Sequence, residues 1–415
     1  DGITVYNPSH LGGVFSNFIV DGVKEAELIK GAYNAEYGGR LSAVLNVISR
    51  EGNQKEFKGK ANISLLSAQT TLEGPFYKGA WILSGRRTYF DLVLPKVLPD
   101  NIATNIPPYF FYDVQGHIFS DISSKDRFSL SYYTGIDDIL FDTFGLDGRW
   151  GNNTISGHWR RVFSERLVGN FLVANSKFRT MFGLGGDGGL VNDNIIDDQT
   201  ISGDFSWFKS PNTTVKFGTQ HKTLGFEYFS KFQDSVAFRI KNAPVELGSY
   251  LKMKYSLNDL LILEPGIRMN YYNVFPDSLY PDLRFGLKYL LTDDRYINLS
   301  VGNYHQFIST FQDDFNPSIL DNWIAVDESV APGKSVQFVL GYEEYIRNMY
   351  KIQVEGYYKD LKNLLTYEER RSSTDAQVSD EKLSDIVTPA DGYAYGLELF
   401  GQKMAGKLSG WIAYT

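Results

Sequence analysis

The chain has 415 residues, with 41 Lys and Arg against 49 Asp and Glu, five His and no Cys. The absence of Cys removes disulfides, zinc-thiolate centres and thiol catalysis from this stretch, and a net charge of −8 argues against a nucleic-acid partner, because phosphate binding relies on clustered Lys and Arg. No run approaches the roughly 20 apolar residues of a membrane helix. A barrel strand, however, needs only about 9 to 11 residues with every second one apolar, so a mean hydropathy of −0.25 leaves a β-barrel open. The 27 Tyr and 29 Phe suit a membrane interface, where a ring meets lipid and a hydroxyl meets water.

The first 53 residues differ from the rest. Asp21 is placed to cap a short helix over 21–26, and 27–31 and 41–49 read as short buried strands around a glycine turn. From about residue 56 the pattern repeats with period two. Leu261, Leu263, Ile267, Met269 and Tyr271 fall on one face, Glu264, Gly266, Arg268 and Asn270 on the other. Leu283, Phe285, Leu287 and Tyr289 oppose Arg284, Gly286 and Lys288, and Tyr395, Leu397 and Leu399 oppose Gly396, Glu398 and Gln402.

About seventeen such segments are counted between 56 and 415, with 212–219 and 224–232 taken as separate ones. Short turns at 123–125, 210–212, 292–294 and 346–348 alternate with long polar excursions at 88–108, 136–150, 180–196, 305–334 and 361–392. This predicts an all-β fold, a large antiparallel transmembrane barrel with tight turns at one end and long loops at the other. The chain opens directly on DGITVYNPSH and stops inside the alternating run GKLSGWIAYT, so it is expected to be cut from a longer protein at both ends.

Residues 31–53, GAYNAEYGGRLSAVLNVISREGN, resemble the carboxy-terminal end of the plug domain of TonB-dependent receptors, with a Lys-Gly step, an Ala-x-Tyr-Gly-Gly-Arg turn, a small-residue strand and a closing Gly-Asn. The upstream VYNPSHLGGVFSNFIVDGVKEAELIKG and the downstream GAWILSGRRTYFDLVLP and YKIQVEGYYKDLKNLLTY are similar to the same family. The resemblance implies the end of a plug in 1–53 and barrel wall in 54–415. Family barrels have about 22 strands around a plugged lumen, so about five strands would lie beyond residue 415. It also implies import of a scarce nutrient, such as siderophore-bound iron, cobalamin, glycan or peptide, across the bacterial outer membrane. The implied partners are outer-membrane lipid, the nutrient and the energy-transducing TonB complex, whose contact segment is not in this stretch; a surface lipoprotein would accompany glycan or peptide cargo. No cofactor and no covalent chemistry are implied.

Specific residues carry these expectations. Gly38 and Gly39 allow a tight path with φ > 0 before the plug strand, or form an ordinary turn. Lys30 and Arg40 sit where the family places basic plug residues, with inward Glu264 and Glu398 as their acids; the alternative is four solvated lumen charges with other partners. Tyr304, Phe307, Phe311, Phe315 and Trp323, with Asp313 and Asp314 among them, are candidates for the outer mouth, where they either meet ligand or pack loops together. Gly183 to Gly189 lacks the Lys-Ser/Thr of a phosphate loop. Asp193, Asp197 and Asp198 lack calcium-loop spacing, and Glu368 and Glu369 have nothing to orient them as a catalytic pair. No Gly-x-Ser-x-Gly or His-Glu-x-x-His occurs, so an enzyme is not expected. A passive porin or adhesin, or a soluble extracellular glycan-binding β-protein, are the competing classes.

Overall fold

A computed structural model describes residues 1–99, 108–141, 145–186, 189–233, 235–258, 260–311, 322–367, 382–385 and 387–415. Eighteen described strands, from Lys58–Ile63 to Gly410–Tyr414, succeed one another in barrel order. Where registers pair them, they pair antiparallel. Lys58–Ile63 and Gly410–Tyr414 are exposed at every residue, so the seam of the wall falls between them.

The tight turns follow from local chemistry. Arg347 and Asn348 both take positive φ, 53° and 52°, the pair of values that a two-residue hairpin turn of the primed type demands. Segments 212–219 and 224–232 form one strand, Thr213–Phe232. Its lower part pairs with Val245–Asn258 and its upper part with a short strand, Ser235–Asn242, that the period-two reading missed. The excursion at 88–108 contains a helix, Phe90–Val97. The expected 21–26 helix is not formed. Val20–Gly22 is a single 3-10 turn, and Val23–Ile29 is a strand paired with Val44–Ser49. Asp21 caps nothing, since its carboxylate accepts from Lys60 and Gln69 on the wall, both at 2.6 Å.

The wall is inside out relative to a soluble protein. On Leu261–Tyr272 the apolar Ile267, Met269 and Tyr271 are 36–38% exposed, while Arg268 and Asn270 are 2% and 0% exposed. On Leu279–Thr292 the same inversion sets Leu283 at 61% against Asp282 at 0% and Arg284 at 6%. A contiguous apolar surface of this extent is foreign to soluble monomers, and buried charge is tolerated only where it is paired. Asp282 and Arg284 pair with each other, and the amino-terminal segment supplies backbone carbonyls to Arg284 and Arg268.

Candidate functional site: the cradle around the amino-terminal segment

The segment turns sharply at Tyr33–Leu41, inside the wall. Arg284 Nη1 donates to the carbonyl oxygen of Asn34 at 2.6 Å and to those of Tyr37 and Tyr33. The guanidinium lies 4.8 Å from the ring centre of Tyr33 and 4.3 Å from that of Tyr304, and Nη2 is held by Asp282 at 3.2 Å. One wall arginine thus closes the turn by filling orphan carbonyls, a demand that any buried backbone makes.

Arg268 is the second anchor, buried flat between two glycines. A Cβ on Gly38 of the segment or on Gly248 of the wall would collide with its guanidinium. Its Nε donates to Asn270 Oδ1 at 2.7 Å. Gly39 has φ +71°, and a Cβ there would sit 3.4 Å from Glu246. Side-chain amides complete the frame. Gln337 accepts from Ala32 N at 2.9 Å and donates to Leu41 O at 2.5 Å, while Gln306 accepts from Leu41 N at 3.0 Å.

Glu36 points the other way, to Lys252 at 2.7 Å and Lys216 at 3.2 Å. Burial alone would raise its pKa; the two ammonium groups outweigh that and hold it below the ordinary value. Tyr33 is pushed up to about 12 by burial and stays neutral.

A separate clamp grips the start of the segment. His10 is fully buried and stacked on Phe111, ring centres 4.0 Å apart. Its Nδ1 lies 2.6 Å from Asp137 Oδ2 and its Nε2 2.8 Å from Asp113 Oδ1. Neutral imidazole has one N–H, so two carboxylates on two nitrogens select the doubly protonated ring. Burial opposes that charge, but the bonds to Asp113 and Asp137 more than offset it and the pKa is raised. Arg86 on Asp113 at 2.5 Å brings the formal count to two cations and two anions. Tyr133 donates to Asp113 at 3.0 Å and Tyr109 to Asp137.

The residues singled out by sequence fall in several places. Lys30 is ion-paired with Glu398. Arg40 meets neither expected acid: it donates to Gly39 O at 2.7 Å and its guanidinium lies 5.6 Å from the Trp323 ring centre. Glu264 pairs within the wall, with Lys254 at 3.8 Å. Tyr304 is fully buried and donates to Tyr33 O at 3.1 Å. Phe307 stacks on Tyr272 at 4.7 Å, and Trp323 sits edge-on to Tyr6 at 5.3 Å. Phe311 ends a strand that pairs with Asn322–Ala325. Asp313, Asp314, Phe315, Glu368 and Glu369 lie outside the described residues.

Asp193 and Asp197 pair with Arg179 and Lys177, and Asp198 accepts from Tyr6 at 2.8 Å and Lys222 at 3.1 Å. No group of metal-holding side chains occurs among the described residues. His10, Glu36, Arg268, Arg284, Gln306 and Gln337 were not singled out by sequence. Period two did place Arg268 and Arg284 inward, and an inward arginine beside a lumen is the signal that would have found them. Between segment and wall a cavity of about 780 Å³ remains, bordered by Arg40, Asp204, Lys222, Glu246 and Tyr250.

The architecture has relatives. The ferric enterobactin receptor PfeA from Pseudomonas aeruginosa superimposes with a TM-score of 0.69 at 13% identity, over 97% of this chain and 68% of that one. The siderophore receptor PirA from the same organism gives 0.69 at 12%, over 100% and 76%, and the copper transporter OprC 0.67 at 12%, over 96% and 66%. At such identities the likeness is one of fold. No curated protein matches the sequence. The family model "TonB dependent receptor-like, beta-barrel" matches residues 62–415, most of the wall just described, and the chain belongs to that family.

Proposed function

We propose that residues 1–53 are the end of a plug and 54–415 most of the barrel of a bacterial outer-membrane importer that takes up a scarce nutrient with energy from the TonB complex. The observation that carries this reading is the pairing of an outward greasy face with an inward polar one whose Arg268, Arg284, Asp113 and Asp137 are met by the amino-terminal segment. A passive pore has no use for a charged, hydrogen-bonded occupant of its lumen. In this reading Gly38, Gly39 and Arg40 belong to the plug face of the cradle, Lys30 and Glu398 to its edge, and Glu264 to the neighbouring lumen wall. The related structures include receptors for siderophores and a copper transporter, and cargo is therefore a matter of side chains and not of fold.

The test is accumulation of labelled siderophore-iron, cobalamin, oligosaccharide and peptide by cells carrying the full reading frame, with and without the TonB complex. The reading predicts that one cargo class accumulates, and only when the complex is present. Equal entry of all small solutes, independent of the complex, would identify a passive porin.

A further inference from the structure

Two strands of the wall carry the same order of contacts from the long loops downward. On Leu190–Ser210, Asn194 accepts from Trp323 N at 2.8 Å and donates to Trp323 O at 2.9 Å. Asp198, four residues further from the loops, accepts from Tyr6 of the segment at 2.8 Å. On Leu261–Tyr272, Tyr272 donates to Val326 O at 2.9 Å, and Arg268, again four residues further down, lies against Gly38 of the segment. Four strand residues rise about 13 Å. The ribbon of Ile308–Phe311 and Asn322–Ala325 therefore forms a layer over the segment on the long-loop side.

The ribbon has different company on its two faces. Ile324 and the following Val326 pack with Tyr272, Phe307 and Leu383, whereas Ile308 and Ala325 pack with Tyr6 of the segment and with Phe178 and Ile196 of the wall. Its polar anchors lie beside it. Asn242 donates to Ala325 O at 3.1 Å, and Gln306 donates to Ile308 O at 2.7 Å. No hydrogen bond among the described residues joins the ribbon to the segment. Trp323 meets Tyr6 edge-on and lies under the Arg40 guanidinium, and its buried indole N–H has no acceptor among the described residues. The ribbon is thus bonded to the wall and only packed on the segment, a contact that can part without leaving the segment's polar groups unpaired.

We propose that the ribbon is an autoinhibitory strap that shuts the lumen over Tyr6 and Arg40, so that these residues are reached from the long-loop side only when the ribbon leaves its anchors. The inference rests on the outer-membrane reading above, which makes that side the outside of the cell. Asn194, Asn242 and Tyr272 hold the strap by its backbone, which fixes one closed position. Opening exchanges those bonds for bonds to water, a small net cost for each, whereas the apolar packing on both faces keeps the closed form dominant.

The experiment expresses the full reading frame in intact cells and times labelling by a membrane-impermeant maleimide. Single cysteines are placed under the strap, at Tyr6→Cys or Arg40→Cys, and at exposed Asp277→Cys as the reference. The triple variant Asn194→Ala, Asn242→Ala, Tyr272→Phe is expected to label at positions 6 and 40 on the order of tenfold faster than the chain with its anchors intact. The rate at 277 and heat-dependent gel mobility should not change. Tyr272→Phe alone keeps the ring and removes one anchor; it should act in the same direction by a smaller factor, and it carries the test if the triple variant does not fold. Equal rates at 6 and 40 with and without the anchors overturn the proposal, as do rates there that match the rate at 277 while the anchors are intact. A cysteine at 277 that labels only after the cells are broken contradicts the outer-membrane reading itself.

Discussion

The turn at Tyr33–Leu41 and the clamp at His10 hold the same segment in the same lumen by different chemistry. The turn is gripped by arginines and amides that act on backbone carbonyls and on ring faces, groups whose charge does not change over any biological pH. The clamp depends on one imidazolium between two carboxylates. One segment is thus held by one grip whose charges do not titrate and by another that does.

The largest effect that would break the comparison is expected from Arg284→Met. It strips the turn of its donor to three carbonyls and leaves Asp282 without its guanidinium, with hydrogen bonds to Asn270, Asn303 and His305 remaining, a loss of about 3–5 kcal/mol for a buried charge network with one partner removed. Thermal unfolding and protease cutting within 1–53 would report it; an unchanged cutting pattern would mean the turn is held elsewhere. Gly38→Ala comes next, at about 1–3 kcal/mol of overpacking against Arg268, and the double variant Gly38→Ala, Arg268→Ala should relieve the clash and show non-additive recovery.

The pH response distinguishes the two grips. Because the folded pKa of His10 lies above its ordinary 6.5, the stability it contributes is complete below that ordinary value and is lost as pH rises through the folded one. Hydrogen exchange around residues 6–18 should therefore accelerate as pH rises through that window, after correction for intrinsic exchange, while exchange around 33–41 does not. Glu36 runs in the opposite sense: its pKa is depressed, so its contribution is lost as pH falls through the folded value. The smallest effect belongs to Lys30→Gln, about 0–1 kcal/mol, since its pair with Glu398 is half open to solvent and screened accordingly.

Alternation made the wall legible in the sequence, since a two-residue period fixes which face a side chain takes wherever the strand is regular. It failed where two signals competed. Asp21 looked like a helix cap, but strand pairing between Val23–Ile29 and Val44–Ser49 prevailed and the carboxylate went to wall residues instead. The turn at 38–39 was visible as a pair of glycines, but only Gly39 takes the expected positive φ, 71°; Gly38 is needed because its position lies against the Arg268 guanidinium. The partners were not visible: His10 meets Asp137 across 127 positions and Arg284 meets Asn34 across 250, separations that no local pattern encodes. The same limit led Arg40 to be matched with acids, whereas its nearest aromatic partner, Trp323, comes from a distant ribbon.

The central claim, a lipid-facing wall around a wet and occupied lumen, is tested most directly by spin labels on single cysteines, which a chain without native Cys accepts cleanly. Labels at Leu283→Cys and Leu397→Cys in reconstituted bilayers should collide with oxygen and be shielded from a water-soluble nickel relaxant, whereas one at Lys254→Cys should show the reverse. Nickel access at Leu283 and Leu397 equal to that at Lys254 would contradict the account.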